Sequence, residues 1–419
     1  MTRPPPPRDP ARRAVVTGSG AVTPIGNDVP TFWSNLVAGV SGVGPITQFD
    51  ASGEEVRIAA EVKGFDPLVA ASPKEARKLE RNVLIAMAAG REALDDAGLT
   101  GFDPHRVGIV FGSAIGGIPG IVEAVDTLRE RGYERVAPSF IPNVLVDTAS
   151  GQLAISLGIK GPNYAVVSAC ATGSHAIGEA AELIKRGDAD AVIAGGTESC
   201  IHPLILAGFT AMRGLAAEDD DPPRASRPFD ATRAGFVIAE GAGAVLVEDW
   251  EHAERRGAEI HAEVIGYGAS NDGHNLAQPE PEAEGVAFMM RAAIERSGIE
   301  PEEVGYLNAH GTSTPLGDLA ETKAIKAVFG EHAYRMAVSS TKSMMGHTFG
   351  AAGAIEAIMC ILALREGVLP PTINYRVPDP ECDLDYVPNE ARRTQVEVAL
   401  SNAMGLGGHN GCVLVRRAA

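Results

Sequence analysis

The sequence is short of positive charge. Lys and Arg total 36 against 54 Asp and Glu, a formal net charge of −18. Nucleic acids and anionic membranes are recognised through clustered Lys and Arg, so this balance argues against both as general partners. Cysteine is scarce as well: five in 419 residues, at 170, 200, 360, 382 and 412, widely spaced and without a C-x-x-C pair. Neither a disulfide framework nor a zinc site follows from that pattern, and reduced thiols in the cytoplasm are expected. No apolar run approaches the roughly 18 residues of a membrane helix. Low-complexity polar tracts of the disordered kind are absent too. The first residues, MTRPPPPRDPARR, are Pro-rich and charged with no apolar centre, so residues 1–12 read as a loose leader rather than a secretory signal.

What is present is ordinary for a globular protein: 45% hydrophobic and 21% charged residues. Short apolar runs bounded by turn residues predict strands at Ala14–Thr17, Val107–Phe111, Ala165–Val167, Ala191–Ala194, Ala244–Glu248, Val304–Leu307, Met336–Ser339 and Val413–Val415. Amphipathic spacing predicts helices over Arg81–Ala97, Ser174–Arg186, Val286–Ser297, Asp318–Phe329 and Ala351–Leu364. Alternation of this kind implies an α/β fold with a largely parallel, buried sheet. Gly18-Ser-Gly20 after the first strand invites a dinucleotide reading. Pro24 and Gly26 interrupt the helix such a site needs, and no GxGxxG is completed. The chain also repeats itself. REALDDAGL before Val107 answers RAAIERSGI before Val304, each a helix, a glycine stop and a strand. Two halves follow, 13–256 and 257–419, with chemistry expected where they meet.

Three residues stand out. Cys170 follows a strand and opens a helix. That turn projects a nucleophile, and the positive helix end favours thiolate; the plain alternative is a small buried thiol. His310 lies in NAHGTSTPLGD, beside three hydroxyls, in what is otherwise a loop leading to a helix capped by Asp318 or a nearby Thr. His347 lies in STKSMMGHTFGAAGA, with Lys342 and Glu356 able either to hold charge near the imidazole or to pair with each other. GLGGHNG, from 405 to 411, can offer backbone N–H groups to an oxyanion or simply turn a hairpin; His409 within it reads as structural. One Cys and two His without paired i,i+3 or i,i+4 ligands fit acyl transfer better than a metal site.

Taken in order, VSACATGSHAIG, RPFDATRAGF, LNAHGTSTPLGD, STKSMMGHTFGAAGA and PPTIN closely resemble the elongating β-ketoacyl-[acyl-carrier-protein] synthases of the thiolase-like superfamily, from about Arg12 to Arg416. The resemblance implies a duplicated five-layer α-β-α-β-α fold, a homodimer and an acyl-carrier protein as partner. No cofactor is implied beyond the carrier's own phosphopantetheine. It implies Cys170 as the acylated nucleophile, and His310 and His347 as the residues that assist decarboxylation. Lys342 and Glu356 would support them, and the N–H groups of Cys170 and Leu406 would form the oxyanion hole. It assigns Thr312 and Thr314 to the phosphopantetheine arm, and Ile115 to the base of the acyl pocket. Lys74, Arg77, Lys78, Arg135 and Arg213 fall at the carrier-docking positions; the plain alternative is a set of solvated charges. Met404 and Leu406 depart from the family's phenylalanines, which puts the aromatic gate and the accepted chain length in question, and His409 replaces a common threonine. The histidine at 347 separates the chain from initiating synthases, which carry Asn there. A polyketide ketosynthase subunit is the nearest competing reading. A non-catalytic partner subunit fits poorly with an intact Cys170, His310 and His347.

Overall fold

A computed structural model describes residues 12–217 and 220–418; the leader assigned to residues 1–12 lies, but for Arg12, outside the described residues. Ten strands carry the architecture: β1 (Ala14–Val22), β2 (Val107–Gly112), β3 (Asn163–Tyr164), β4 (Ala191–Glu198), β5 (Gly241–Asp249), β6 (Ala262–Asn271), β7 (Tyr306–Asn308), β8 (Ala337–Ser339), β9 (Val398–Gly405) and β10 (His409–Arg417). Five helices cover them: α1 (Arg81–Asp96), α2 (Thr172–Arg186), α3 (Glu284–Ser297), α4 (Pro315–Phe329) and α5 (Ala352–Glu366).

The strand order is β8-β7-β9-β10-β6-β1-β5-β4-β2-β3. Outward from the centre, the front half reads β1-β5-β4-β2-β3 and the rear half β6-β10-β9-β7-β8, the same permutation of first, fifth, fourth, second and third. Directions match as well. In each half the inner neighbours pair antiparallel and the outer ones parallel. The sheet is therefore mixed, not largely parallel as the apolar runs imply; β5 and β10 are long returning strands whose direction composition does not encode. The halves touch edge to edge at only two residue pairs, Val15 with Glu263 and Val16 with Ala262.

Helices complete five layers. α1 packs on β1, β5 and β4, while α3 packs on β6 and β10. Between the two half-sheets α2 and α5 pack on each other, each touching strands of both halves. A helix so placed is apolar all round, and every residue of α5 from Ala352 to Leu364 is buried. Glycine permits the crossing: a Cβ on Gly173 would sit 2.5 Å from the Ala354 amide nitrogen. The same logic corrects the glycine turn expected after the first strand. Gly18 and Gly20 lie inside β1, and a Cβ on either would meet a carbonyl oxygen of α1 at 2.1 or 2.0 Å. They admit a helix, not a dinucleotide. The strand expected at Ala165–Val167 is also displaced: pairing ends at Tyr164, and the chain runs irregularly into the turn before α2.

Candidate active site

The turn Ala169–Ala171 opens α2 and carries Cys170, 5% exposed. Ala169 sits at φ +51°, a left-handed conformation that costs a side-chain-bearing residue of order 1 kcal/mol or more. Opposite it, the chain between β8 and α5 carries His347, whose Nε2 lies 3.0 Å from Cys170 Sγ. The His310 ring stands 5.2 Å from that of His347, at 87°. One nitrogen of each imidazole and the sulfur all fall within 4.8 Å of one another. Thus one thiol from the front half and two imidazoles from the rear half converge.

Burial sets the charge state. It pushes the Cys170 thiol up to about 12; the N–H groups of Leu406 and Cys170 and the charge of Lys342 pull the other way, and Glu198 adds to the rise. The thiol is therefore protonated at rest, where the helix terminus alone leads one to expect thiolate. Both imidazoles are held well below the usual histidine range, first by burial and then by Lys342. They are neutral at pH 7. Lys342 and Glu356 form a buried ion pair, and Lys342 also acts on both histidines, so both alternatives drawn from the sequence hold. Burial holds the Glu356 carboxyl at about 7, against the pull of Lys342.

The hairpin tip between β9 and β10 presses on the nucleophile turn: a Cβ on Gly405 would lie 2.7 Å from Ser168 O. Its glycines turn the β9–β10 hairpin, and the Leu406 N–H acts on the Cys170 thiol against the effect of burial. The Leu406 side chain is 37% exposed, Met404 is half-buried and His409 is exposed. Thr312 and Thr314 place their hydroxyls 3.0 Å apart on the loop after His310. Ile115 is half-buried against an apolar cluster that holds Cys170, Cys200, Phe236 and Phe349, with Phe209 at its margin. The charges at Lys74, Arg77, Lys78, Arg135 and Arg213 are exposed on the surface, Arg213 two residues before Leu215 of this cluster.

Sequence reasoning missed the roles of three carboxylates. Glu321, fully buried on α4, accepts the N–H groups of His310 and Gly311, both at 2.8 Å, and fixes the histidine's backbone. Of the two cap candidates, Thr314 holds the N-cap position, without a side-chain cap bond; Asp318 instead accepts from Ser313 N and Phe229 N, tying the threonine loop to the RPFDATR segment. Two acids three residues apart on an otherwise apolar helix face were the available signal. Glu198, at the end of β4, is the third.

Cys170, His310 and His347 are also a ligand set that a soft metal could take. A metal-bound histidine ordinarily passes its other ring N–H to a carboxylate or carbonyl, and His347 Nδ1 has no such partner among the described residues. The fit is poor. Buried oxygens of Asn308, Glu356, Ser401 and Asn402 likewise have no hydrogen-bond partner among the described residues.

Comparison with known proteins bears on this arrangement. The N-terminal domain of the beta-ketoacyl synthase family matches residues 11–253, and its C-terminal domain residues 261–376. The 3-oxoacyl-[acyl-carrier-protein] synthase 2 of Coxiella burnetii is 50% identical over 408 residues, covering 97% of this chain and 99% of that one. Its counterpart in Staphylococcus aureus is 48% identical, covering 97% and 98%. A beta-ketoacyl synthase from Burkholderia phymatum superposes with a TM-score of 0.90 at 36% identity, covering 97% of this chain and all of that one. A type II PKS ketosynthase, solved in complex with its acyl-carrier protein and bound to the hexaketide, gives 0.90 at 33%, with 97% and 100% covered.

Proposed function

The chain belongs to the β-ketoacyl synthase family, and from that premise we propose that it is a 3-oxoacyl-[acyl-carrier-protein] synthase of fatty-acid elongation, joining malonyl-carrier to a Cys-bound acyl chain with loss of CO₂. The observation that carries the reading is the 3.0 Å contact of His347 Nε2 with Cys170 Sγ, with His310 in the same group. Sγ attacks the acyl thioester as its proton passes through His347 Nε2 to the departing carrier thiolate. The N–H groups of Cys170 and Leu406 receive the carbonyl oxygen as it gains charge. Malonyl-carrier then binds, its pantetheine arm held by Thr312 and Thr314. Cleavage of the C–CO₂⁻ bond leaves an electron pair as an enolate, whose oxygen the two neutral imidazoles stabilise by donation. The enolate carbon attacks the acyl-Cys carbonyl, and collapse of the tetrahedral intermediate expels Sγ as thiolate and yields the 3-oxoacyl product; a proton from solvent restores the resting thiol. Burial, and after it Lys342, keeps both imidazoles neutral, and Glu356 balances the Lys342 charge. No metal or resident cofactor takes part in this scheme; activity that survives exhaustive chelation supports that, and activity restored by a metal overturns it.

The same reading makes the chain a cytoplasmic homodimer built of halves 13–256 and 257–419. The matched strand order of the two halves supports the division. All five cysteines are free, and no described helix is long and apolar enough to cross a membrane. Among the described residues the short edge strand β3 is unpaired outward, and Ile155 and Val167 are exposed; a second copy would cover this edge. Sedimentation as a 43.6 kDa monomer would remove that element. The five exposed cations meet the acidic carrier: K74E/R77E raises KM for carrier-bound substrate, and an unchanged KM removes the docking assignment. The polyketide alternative shares the fold equally, and the greater identity to the fatty-acid enzymes weighs against it. The decisive experiment is mass spectrometry of the protein after incubation with acyl-carriers of graded length. Acyl adducts on Cys170 are expected; none at any length overturns the reading.

A further inference from the structure

Each half follows its second sheet strand with a turn held by a buried carboxylate. In the rear half Glu321 takes the N–H groups of His310 and Gly311. In the front half Glu198 takes the N–H of Ala114 at 2.9 Å and, more weakly, that of Ile115 at 3.4 Å, with the Ser113 hydroxyl at 2.7 Å. Each carboxylate also reaches a third segment: Glu321 accepts from Asn402 Nδ2 on β9 at 3.2 Å, whereas Glu198 reaches across to the other central helix. There it accepts the N–H of Gly350 at 3.2 Å, from the turn that opens α5. The residue before that glycine is Phe349, whose ring is 4.6 Å from His347 and stacks on Phe209 at 5.3 Å. One carboxylate therefore spans the segment bearing Ile115 and the segment bearing Phe349. It sits fully buried beside the nucleophile. The spacing is tight, since a Cβ on Gly350 would stand 2.6 Å from Ala114 N.

We propose that Glu198 is a positioning residue for acyl-chain selection: by holding the Ala114–Ile115 turn against the Phe349–Gly350 turn, it fixes the distance between the pocket wall and the Cys170–His347 pair. This rests on the condensing reaction proposed above. A carboxylate offers acceptors only, and here it meets four donors. The glutamine side chain would turn an NH₂ toward N–H groups, so E198Q keeps the volume and parts the two turns.

The experiment is the same adduct measurement, run on wild type, E198Q and S113A with carriers of graded acyl length, alongside KM for malonyl-carrier and thermal midpoints. E198Q is expected to change acylation by the longest chain wild type accepts about tenfold relative to the shortest, the scale of discrimination that small changes in an apolar pocket produce. Malonyl KM should be unchanged. S113A, which removes one donor and keeps the carboxylate, should shift the profile in the same direction and less. Uniform loss at all lengths, or a profile identical to wild type in a folded E198Q, overturns the proposal; should E198Q fail to fold, a flat S113A profile does so. Failure of wild type to form any adduct refutes the condensing reaction instead, so the two failures are separable.

Discussion

The two turns that face each other at the centre of the molecule are built alike and used differently. Ala169-Cys170-Ala171 opens α2 and Phe349-Gly350-Ala351 opens α5. Each begins with a non-glycine residue in the left-handed region, φ +51° at Ala169 and +44° at Phe349. Where the front turn has a thiol, the rear turn has a glycine bonded to Glu198. The rear half supplies its chemistry from the segments around that turn: His347 two residues before it, and His310 after β7. Duplication thus provides two equivalent frames. One carries a thiol and the other packing, so one sulfur meets two imidazoles rather than a symmetric partner.

Removing the chemistry from either frame should be the most severe test of that division. C170S should lower product formation by on the order of 10³-fold or more, since hydroxyl is a far weaker nucleophile than sulfur. H310A removes one donor to the enolate and should cost about 10²–10³ in kcat, with the Cys170 adduct still forming. Burst measurement separates the two. Loss of acylation in H310A would mean that His310, and not His347 alone, serves the acylation step. Because burial and Lys342 hold both imidazoles below the usual histidine range, the neutral rings persist as pH falls through about 6.5. Wild-type activity should therefore persist below that pH.

Lys342 belongs to the rear frame yet acts on both. In K342M the Glu356 carboxyl is left buried without its cation, which typically costs about 3–5 kcal/mol. Its sign with pH is fixed: a carboxyl raised by burial to about 7 even when paired rises further unpaired, so the ionised form is the costly one. The loss should grow as pH rises above 7 and shrink below it, in denaturant titrations at pH 6 and 8. Both histidines should move up toward 6.5, carrying the acid limb of kcat with them. A destabilisation equal at both pH values would show that Glu356 is not the group left exposed to the change.

Much of this was legible in the chain because the informative residues are local. Five helices and most strands follow from spacing, and the thiol and both imidazoles sit in segments dense in small residues. What the sequence hid is long-range. β6, AEVIGYGASN, alternates buried and part-buried residues around two glycines and reads as a weak strand. β9 carries Ser401 and Asn402, polar yet buried at its heart. The direction of β5 and β10 depends on partners far away in sequence. The partners of Glu198 and Glu321 are hidden for the same reason: a carboxylate ending a strand, or an acid on an apolar helix face, does not show which backbone N–H groups it will meet, 84 or 10 residues distant. The expectation of a thiolate failed because a helix terminus is a local feature, while the burial that outweighs it is made by the fold.

The mildest test concerns the two strained residues themselves. Glycine at a left-handed position relieves of order 1 kcal/mol, so A169G should change stability by about 1 kcal/mol or less while loosening the nucleophile. F349G relieves the same strain but deletes a ring that is 3% exposed, stacked on Phe209 and edge-on to Phe236 at 5.7 Å. Deleting a buried phenylalanine costs about 3–5 kcal/mol, leaving a net loss of roughly 2–4. Denaturant midpoints for the pair give the difference directly. In the front turn the strain only orients the sulfur; in the rear turn it is held by aromatic packing beside His347. If the two variants were equally mild, the rear frame would owe nothing to its rings, and Phe349 would stand beside the histidine without supporting it.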